Sequence, residues 1–323
     1  MVARISYPFL MHKAFLPGAG LGTRLRPLTD HLPKPLVPLF HRPLVMHVLD
    51  ACRAAGLVKF AINTHHLPES WAETFPPTDP CPWQGENGVT AWQTRHAACP
   101  VTFFHEPMLL ETGGGLRNIR EWIGRDGILV HNADIFSTQP LRPLIDTHLA
   151  SGLPVTLALR PTGPDLHVAI DATETRVTAI RERLGRAAGT HQFTGVYCVA
   201  PAFLELLPTA QPVSVIPAFL GLARAGKLGC VVIDEGVWLD LGTPATALAV
   251  HLDPPVDPGV PRIHPLARID PAADIDEKSW VGPHATVAAG AVLRCSWVFP
   301  GTSVAAGRYE RTILLPDGSR LSA

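Results

Sequence analysis

An apolar stretch, Ala14-Phe15-Leu16, runs through Pro17 into glycines at 18, 20 and 22, and no other feature so narrows what this chain can fold into. Glycine takes positive φ freely and lets backbone approach a ligand, so a strand ending in alternate glycines can offer a concave row of amide N–H groups to an anion. The string continues Thr23-Arg24-Leu25-Arg26-Pro27-Leu28-Thr29 and resumes at Pro33-Lys34-Pro35-Leu36. Arg24 and Lys34 add the full positive charge that a polyphosphate requires. A dinucleotide fingerprint does not fit, because the third glycine comes one residue early and Pro27, Pro33 and Pro35 bar a regular helix. The Gly-Lys-Ser/Thr of a kinase-type phosphate loop is also absent. Taken alone, the glycines favour a surface turn beside two unrelated basic residues.

Downstream, the pattern alternates. Residues 44–55 carry apolar side chains at helical spacing and stop at Gly56, a C-terminal cap. Residues 58–63 form a buried strand, 67–75 a short helix and 76–82 a Pro-rich loop. Strand–helix alternation implies right-handed crossovers and a largely parallel sheet, an α/β fold with ligands beyond the carboxyl ends of its strands. From Pro154 the pattern becomes strand-like, with a hairpin around 172–175 and a strand over 191–199 that contains Phe193-Thr194-Gly195. A helix is expected over 212–225 and a strand over 228–233. In Trp238-Leu239-Asp240-Leu241-Gly242-Thr243-Pro244, Thr243 is placed to cap the next helix and Pro244 to open it.

Residues 253–262 are a stiff, Pro-rich linker. Beyond them Ile263, Ile269, Ile275, Val281, Val287 and Leu293 recur every six residues, and Val298 and Val304 resume the spacing after one slip. This is the signature of a short left-handed parallel β-helix, too small to bury much alone. The expected domains are 1–252, a linker at 253–262, and coils with a tail at 263–323. The coils suit a structural or homo-oligomer-forming role; acyl transfer would need a histidine setting that the segment lacks.

Two further clusters carry chemistry. Glu111-Thr112-Gly113-Gly114-Gly115, after the strand 101–105, reads as a glycine turn opening a helix with Ile119, Trp122 and Ile123, which suits either a ligand or a plain turn. Within the stretch 127–136 a buried apolar strand is expected with Asp134 at its end, which suits either Mg2+, which takes one or two carboxylates and fills its shell with phosphate oxygens and water, or a cap for the helix near Pro140.

A net charge of −1 gives no basic excess for nucleic acid or anionic lipid, and no run approaches the roughly 18 apolar residues of a membrane span. Six scattered cysteines without CxxC spacing fit reduced thiols of a cytoplasmic protein. His65-His66 reads as a loop before a helix.

The string from Gly18 to Leu36 resembles the signature of the sugar-1-phosphate nucleotidyltransferases, and Trp-x-Asp-x-Gly-Thr-Pro resembles that family's second motif. The resemblance implies a Rossmann-like three-layer sheet of the nucleotide-diphospho-sugar transferase type, a nucleoside triphosphate and a sugar 1-phosphate as partners, and Mg2+ as cofactor. It makes Arg24, Lys34, Asp134 and Asp240 catalytic, with the two aspartates sharing the metal. Nucleotide binding falls to Leu16, Gly18, Ala19, Gly20, Gly22, Thr23, Arg24, Glu111, Gly113, Gly114 and Asn132. Lys34, Glu182, Thr194 and Gly195 would hold the sugar phosphate, with Arg181 or Arg183 replacing the family's usual lysine beside Glu182. Ala133 stands where most relatives have glycine. The Glu-Thr-Gly-Gly-Gly form is closest to uridylyltransferases acting on N-acetylmuramate 1-phosphate, while the appended coils resemble mannose-1-phosphate guanylyltransferases. Another class, a regulatory subunit that binds nucleotide-sugars without making them, tends to lose the four charged residues retained here.

Overall fold

The computed structural model describes residues 10–83, 88–181, 188–208 and 212–322. By packing, the chain forms two compact units: Met1–Leu21 with His47–Trp238, and Gly22–Met46 with Leu239–Ala323.

The first unit is built on an eight-stranded sheet. Its strands are β1 (Met11–Pro17), β2 (Lys59–Thr64), β3 (Thr90–His96), β4 (Cys99–His105), β5 (Gly127–His131), β6 (Val155–Arg160), β7 (Gln192–Val199) and β8 (Leu228–Val232). Across the sheet they lie in the order β8-β6-β7-β5-β1-β2-β4-β3. The central run β5-β1-β2-β4 is parallel, whereas β7 runs antiparallel to both neighbours and β3 closes the edge beside β4. The expected mostly parallel sheet is therefore present. Its register aligns Pro17 with Asn63 and Asn63 with Phe104, so the carboxyl ends of β1, β2 and β4 meet at one edge. Buried Phe15, Ala61, Phe104, Ile128 and Val130 share a core with Leu116, Trp122 and Ile123 of the helical segments Glu111–Asn118 and Arg120–Ile123, and with Ile119 between them. The β7 register shifts between Phe193 and Tyr197, a bulge that holds Gly195 at φ +78°.

The second unit joins the signature segment to the C-terminal coils. Its coils stack in parallel, with Ile269 beside Val287 and Val287 beside Val304 on one face. Ile275, Leu293 and Tyr309 align on a second face, and Val281, Val298 and Leu314 on a third. The slip seen in the hexad spacing is a shortened coil, since Val281 pairs with Val298 rather than a residue eighteen further on. The antiparallel strand Arg320–Ser322 covers the last edge at Thr312–Leu314.

A tight hairpin, Pro38–Leu39 with Arg42–Pro43, ends the signature segment. Phe40 and His41 turn it with φ of 52° and 66°, a left-handed conformation that non-glycine residues seldom adopt. Ring contacts hold them there. Phe40 lies 5.6 Å from the His251 ring and 5.4 Å from Trp280, and His41 lies 5.0 Å from Trp280 and 5.1 Å from His264. The C-terminal coils and the signature segment thus share one aromatic core.

Candidate active site

The two sequence motifs meet inside the second unit. Gly22 stands at φ +61°, and a Cβ there would lie 2.9 Å from Thr29 Cγ2 and 3.1 Å from Lys34 Cβ. Only glycine allows the turn to close onto the Lys34 stem. Lys34, 5% exposed, donates from Nζ to Asp240 Oδ1 at 2.7 Å, and Arg24 Nη2 donates to Oδ2 at 3.3 Å. A near-buried ammonium requires a charged partner, and this carboxylate supplies it. Arg24 is the open member, with 72% of its side chain exposed. Gly242 gives the guanidinium room: a Cβ there would sit 3.3 Å from Arg24 Nη1. Behind Asp240, Thr243 caps the helix Pro244–Leu252, as the sequence predicts, and Thr246 completes a capping box with it.

In the first unit, the start of the glycine loop lies at the carboxyl edge of the sheet. Leu16, Gly18 and Ala19 are buried, and Gly20 is exposed. The Gly18 amide donates to Asn63 Oδ1 at 2.8 Å. Asn63 Nδ2 donates to Glu106 Oε1 at 2.8 Å, and Glu106 Oε2 accepts the Leu110 N–H at 3.1 Å. Glu106 is fully buried; burial pushes its carboxyl pKa up, and the Asn63 and Leu110 donors oppose the shift. Asn132 and Gly195 are neighbours: the Asn132 amide donates to the Gly195 carbonyl at 3.0 Å, and a Cβ on Gly195 would lie 2.7 Å from Asn132 Nδ2. Asp134, partly exposed, follows in the segment after β5. His131 at the end of that strand is fully buried and held neutral, its pKa lowered to about 4 by desolvation.

Two expectations of secondary structure are corrected. Glu111–Asn118 is itself a helix, so the three glycines are buried helical residues rather than a turn before one. The Gly113 and Gly114 amides both donate to the Val213 carbonyl, at 2.8 and 3.0 Å. A Cβ on Gly113 would come within 2.8 Å of that oxygen, so close helix packing explains the glycine. Glu111 remains exposed, with φ +60°. The Thr194 hydroxyl is likewise engaged: it is fully buried and donates to the Ala158 carbonyl at 2.9 Å. The helix expected over 212–225 begins only at Ile216, because Val213 is drawn out as the acceptor for the glycine helix.

Arg181 is exposed and pairs with Asp165 at 3.1 Å; Glu182 and Arg183 lie outside the described residues. Thr23 is exposed beside Arg24 in the short helical turn Thr23–Leu25. Sequence reasoning missed Asn63 and Glu106. The available signal was a polar residue closing each of two apolar strands at the edge where the glycine loop leaves the sheet.

A nucleotidyl transferase family model matches residues 13–254, most of the chain. Probable mannose-1-phosphate guanylyltransferase 2 of Arabidopsis thaliana is 30% identical over 301 residues, covering 87% of this chain and 78% of that protein. An alignment of that extent reaches past residue 254 into the C-terminal segment. Mannose-1-phosphate guanylyltransferase of Mycobacterium tuberculosis is 29% identical over 231 residues, 70% of this chain and 59% of the other. Among solved structures, a UDP-glucose pyrophosphorylase from Acinetobacter baumannii superposes with a TM-score of 0.59 at 19% identity, covering 76% of this chain and 95% of that one, a likeness of fold. Sheet, signature and family model agree, and the chain belongs to the nucleotidyl transferase family.

Proposed function

We propose that this protein joins a sugar 1-phosphate to a nucleoside triphosphate with release of pyrophosphate, and that mannose 1-phosphate with GTP is the favoured pair. The carrying observation is the placement of Lys34 and Arg24 on the two oxygens of Asp240, which gathers the charge needed for two anionic substrates. In the reaction, a phosphate oxygen of the sugar 1-phosphate forms a bond to the α-phosphorus of the triphosphate as the bond to pyrophosphate breaks. No general base is required, because a phosphate monoester is largely deprotonated near neutral pH. Catalysis is then positioning and charge stabilisation. Lys34 has three N–H donors, so it can keep its bond to Asp240 and hold the sugar phosphate or the α-phosphate as well. Exposed Arg24 is free to leave Asp240 for the departing β and γ phosphates.

Asp134 and Asp240 are the carboxylates we assign to Mg2+. Asp240 suits the role, since each of its oxygens accepts one cationic donor and keeps further acceptor capacity. Mg2+ takes one or two carboxylates and completes its shell with phosphate oxygens and water, so two aspartates suffice for the role. When bound, the ion neutralises phosphate charge and polarises the reacting phosphorus.

The named relatives favour the guanylyl–mannose pair over the uridylyl–N-acetylmuramate pair that Glu111-Thr-Gly-Gly-Gly resembles. Burial of those glycines in helix packing also weakens them as a reader of the base. A pyrophosphate-release screen crossing GTP, UTP, ATP, CTP and dTTP with mannose, glucose, N-acetylglucosamine and N-acetylmuramate 1-phosphates tests both. The highest kcat/KM is expected for GTP with mannose 1-phosphate. A higher value for UTP with N-acetylmuramate 1-phosphate would reverse the order, and no turnover with any pair would overturn the enzymatic reading.

A further inference from the structure

Asn63 and Glu106 belong to neither sequence motif, yet they connect two segments at the carboxyl edge of the sheet. The Asn63 amide has a fixed sense: its oxygen must face the Gly18 N–H, so its NH2 must face Glu106. The carboxylate takes that donor on one oxygen and the Leu110 N–H on the other, directly before the helix Glu111–Asn118. Two glycines are shaped around this relay. A Cβ on Gly115 would lie 2.6 Å from Asn63 Nδ2 and 2.9 Å from Glu106 Oε1, and one on Gly18 would lie 3.0 Å from the Asn63 carbonyl oxygen. Backbone bonds clamp the centre, since the Glu106 N–H donates to the Thr64 carbonyl at 2.8 Å and the Glu106 carbonyl lies 2.7 Å from His65 Nδ1. Asn63 is 3% exposed and Glu106 is fully buried, so neither reaches a ligand directly.

We infer that Asn63 and Glu106 are positioning residues for the nucleoside triphosphate, fixing the start of the glycine loop against the start of the Glu111 helix so that both present one preset surface. The inference rests on the nucleotide-binding reading of the glycine loop. Because the relay has a sense, it can be reversed. Asn63→Asp alone sets two carboxylates face to face. Glu106→Gln alone sets an NH2 group against a donor, either the Asn63 NH2 or the Leu110 N–H. The double variant Asn63→Asp/Glu106→Gln restores every bond: the new aspartate accepts from Gly18 and from the new glutamine, whose carbonyl accepts from Leu110.

GTP and UTP titrations by calorimetry, with KM measured separately for each substrate, test this in the full-length protein. Each single variant should weaken triphosphate binding by about tenfold or more, the consequence of one unpaired buried donor or acceptor. The KM for sugar 1-phosphate should stay near wild type, a split that general destabilisation does not produce. The double variant should recover most of the lost affinity. If Asn63→Asp does not fold, Glu106→Gln against the double variant carries the comparison. Singles that bind the triphosphate like wild type, or a folded double variant no better than Glu106→Gln, would overturn the relay. A wild-type protein that binds neither triphosphate would overturn the nucleotidyltransferase reading, and the relay with it.

Discussion

Two carboxylates hold the functional segments, one in each unit, and they do so in opposite ways. Glu106 is fully buried and takes only uncharged donors, the Asn63 amide and the Leu110 N–H. Asp240 has a side chain 32% exposed and takes two cations, Lys34 and Arg24. A desolvated charge on neutral donors is costly to disturb, because any displaced donor is left unpaired in low dielectric. A half-exposed charge shared between cations can exchange them for phosphate or metal at small cost, since water and the incoming ligand replace what is lost. The first arrangement suits a fixed surface, and the second suits a group whose partners change during turnover.

The largest test of that contrast falls on the second unit. Lys34→Met keeps the buried stem but removes the charge, and it should lower kcat by about 10²–10³, the usual loss for one preorganised cationic donor. Its effect on stability should be small, because Asp240 is open to water and keeps Arg24. Asp240→Asn should match that loss of rate and add a loss of stability of about 1–3 kcal/mol, because the near-buried ammonium of Lys34 loses the Asp240 charge 2.7 Å away. Urea unfolding beside pyrophosphate-release kinetics separates the two effects. Equal stability in both variants would mean that the Asp240 charge does not hold Lys34.

Both units also bury a neutral imidazole, and here the prediction concerns acid. His131 and His251 are fully buried, each pushed by desolvation to a pKa of about 4. Both rings direct Nδ1 to a carbonyl, of Asn132 and Ala247, and neither Nε2 has a hydrogen-bond partner among the described residues. The folded pKa lies below the unfolded value near 6.5, so the stabilisation is present above that value and is lost as pH falls through 4. Each ring contributes up to roughly 3 kcal/mol of that loss. His251 stacks on Trp297 at 4.0 Å, so His251→Phe keeps an aromatic ring there while removing the proton site. Urea unfolding at stepped pH between 7 and 4 should show a slope shallower by about one proton in that variant. An unchanged slope would mean that His251 is already solvated or charged.

Legibility in the sequence followed the kind of constraint each residue obeys. The parallel sheet was readable because its strands are buried on both faces and appear as short apolar runs. The stacked coils were readable because each inward position repeats every six residues, and even the slip at Val298 marked a real shortening. Lys34, Arg24 and Asp240 were readable because an unusual string of glycines, prolines and charges surrounds them, and all three come together. The glycines at 113–115 misled, because a missing side chain serves a ligand and a packed helix equally, and only the Val213 carbonyl decides which. Asn63 and Glu106 each carried only the faint signal of a polar residue at the end of an apolar run, because one amide and one carboxylate 43 residues apart form no shared local pattern. Their pairing exists only through the register that sets β2 beside β4.

The smallest expected effect asks whether Asp240 is held by its charges or by the chain that follows it. Thr243 Oγ1 accepts the Thr246 N–H at 3.2 Å, and Thr246 Oγ1 accepts the Thr243 N–H at 3.0 Å, closing the box at the start of the helix Pro244–Leu252. Thr243→Ala removes one of these bonds and should cost about 1 kcal/mol of stability, while Thr243→Ser should cost less than half of that. If the ion pairs with Lys34 and Arg24 fix Asp240, kcat in Thr243→Ala should stay within about threefold of wild type, since a frayed first turn leaves those bonds intact. A loss of rate approaching that of Lys34→Met would show the reverse: Asp240 would owe its position to the helix behind it, and the exchangeable cations would serve the substrates alone.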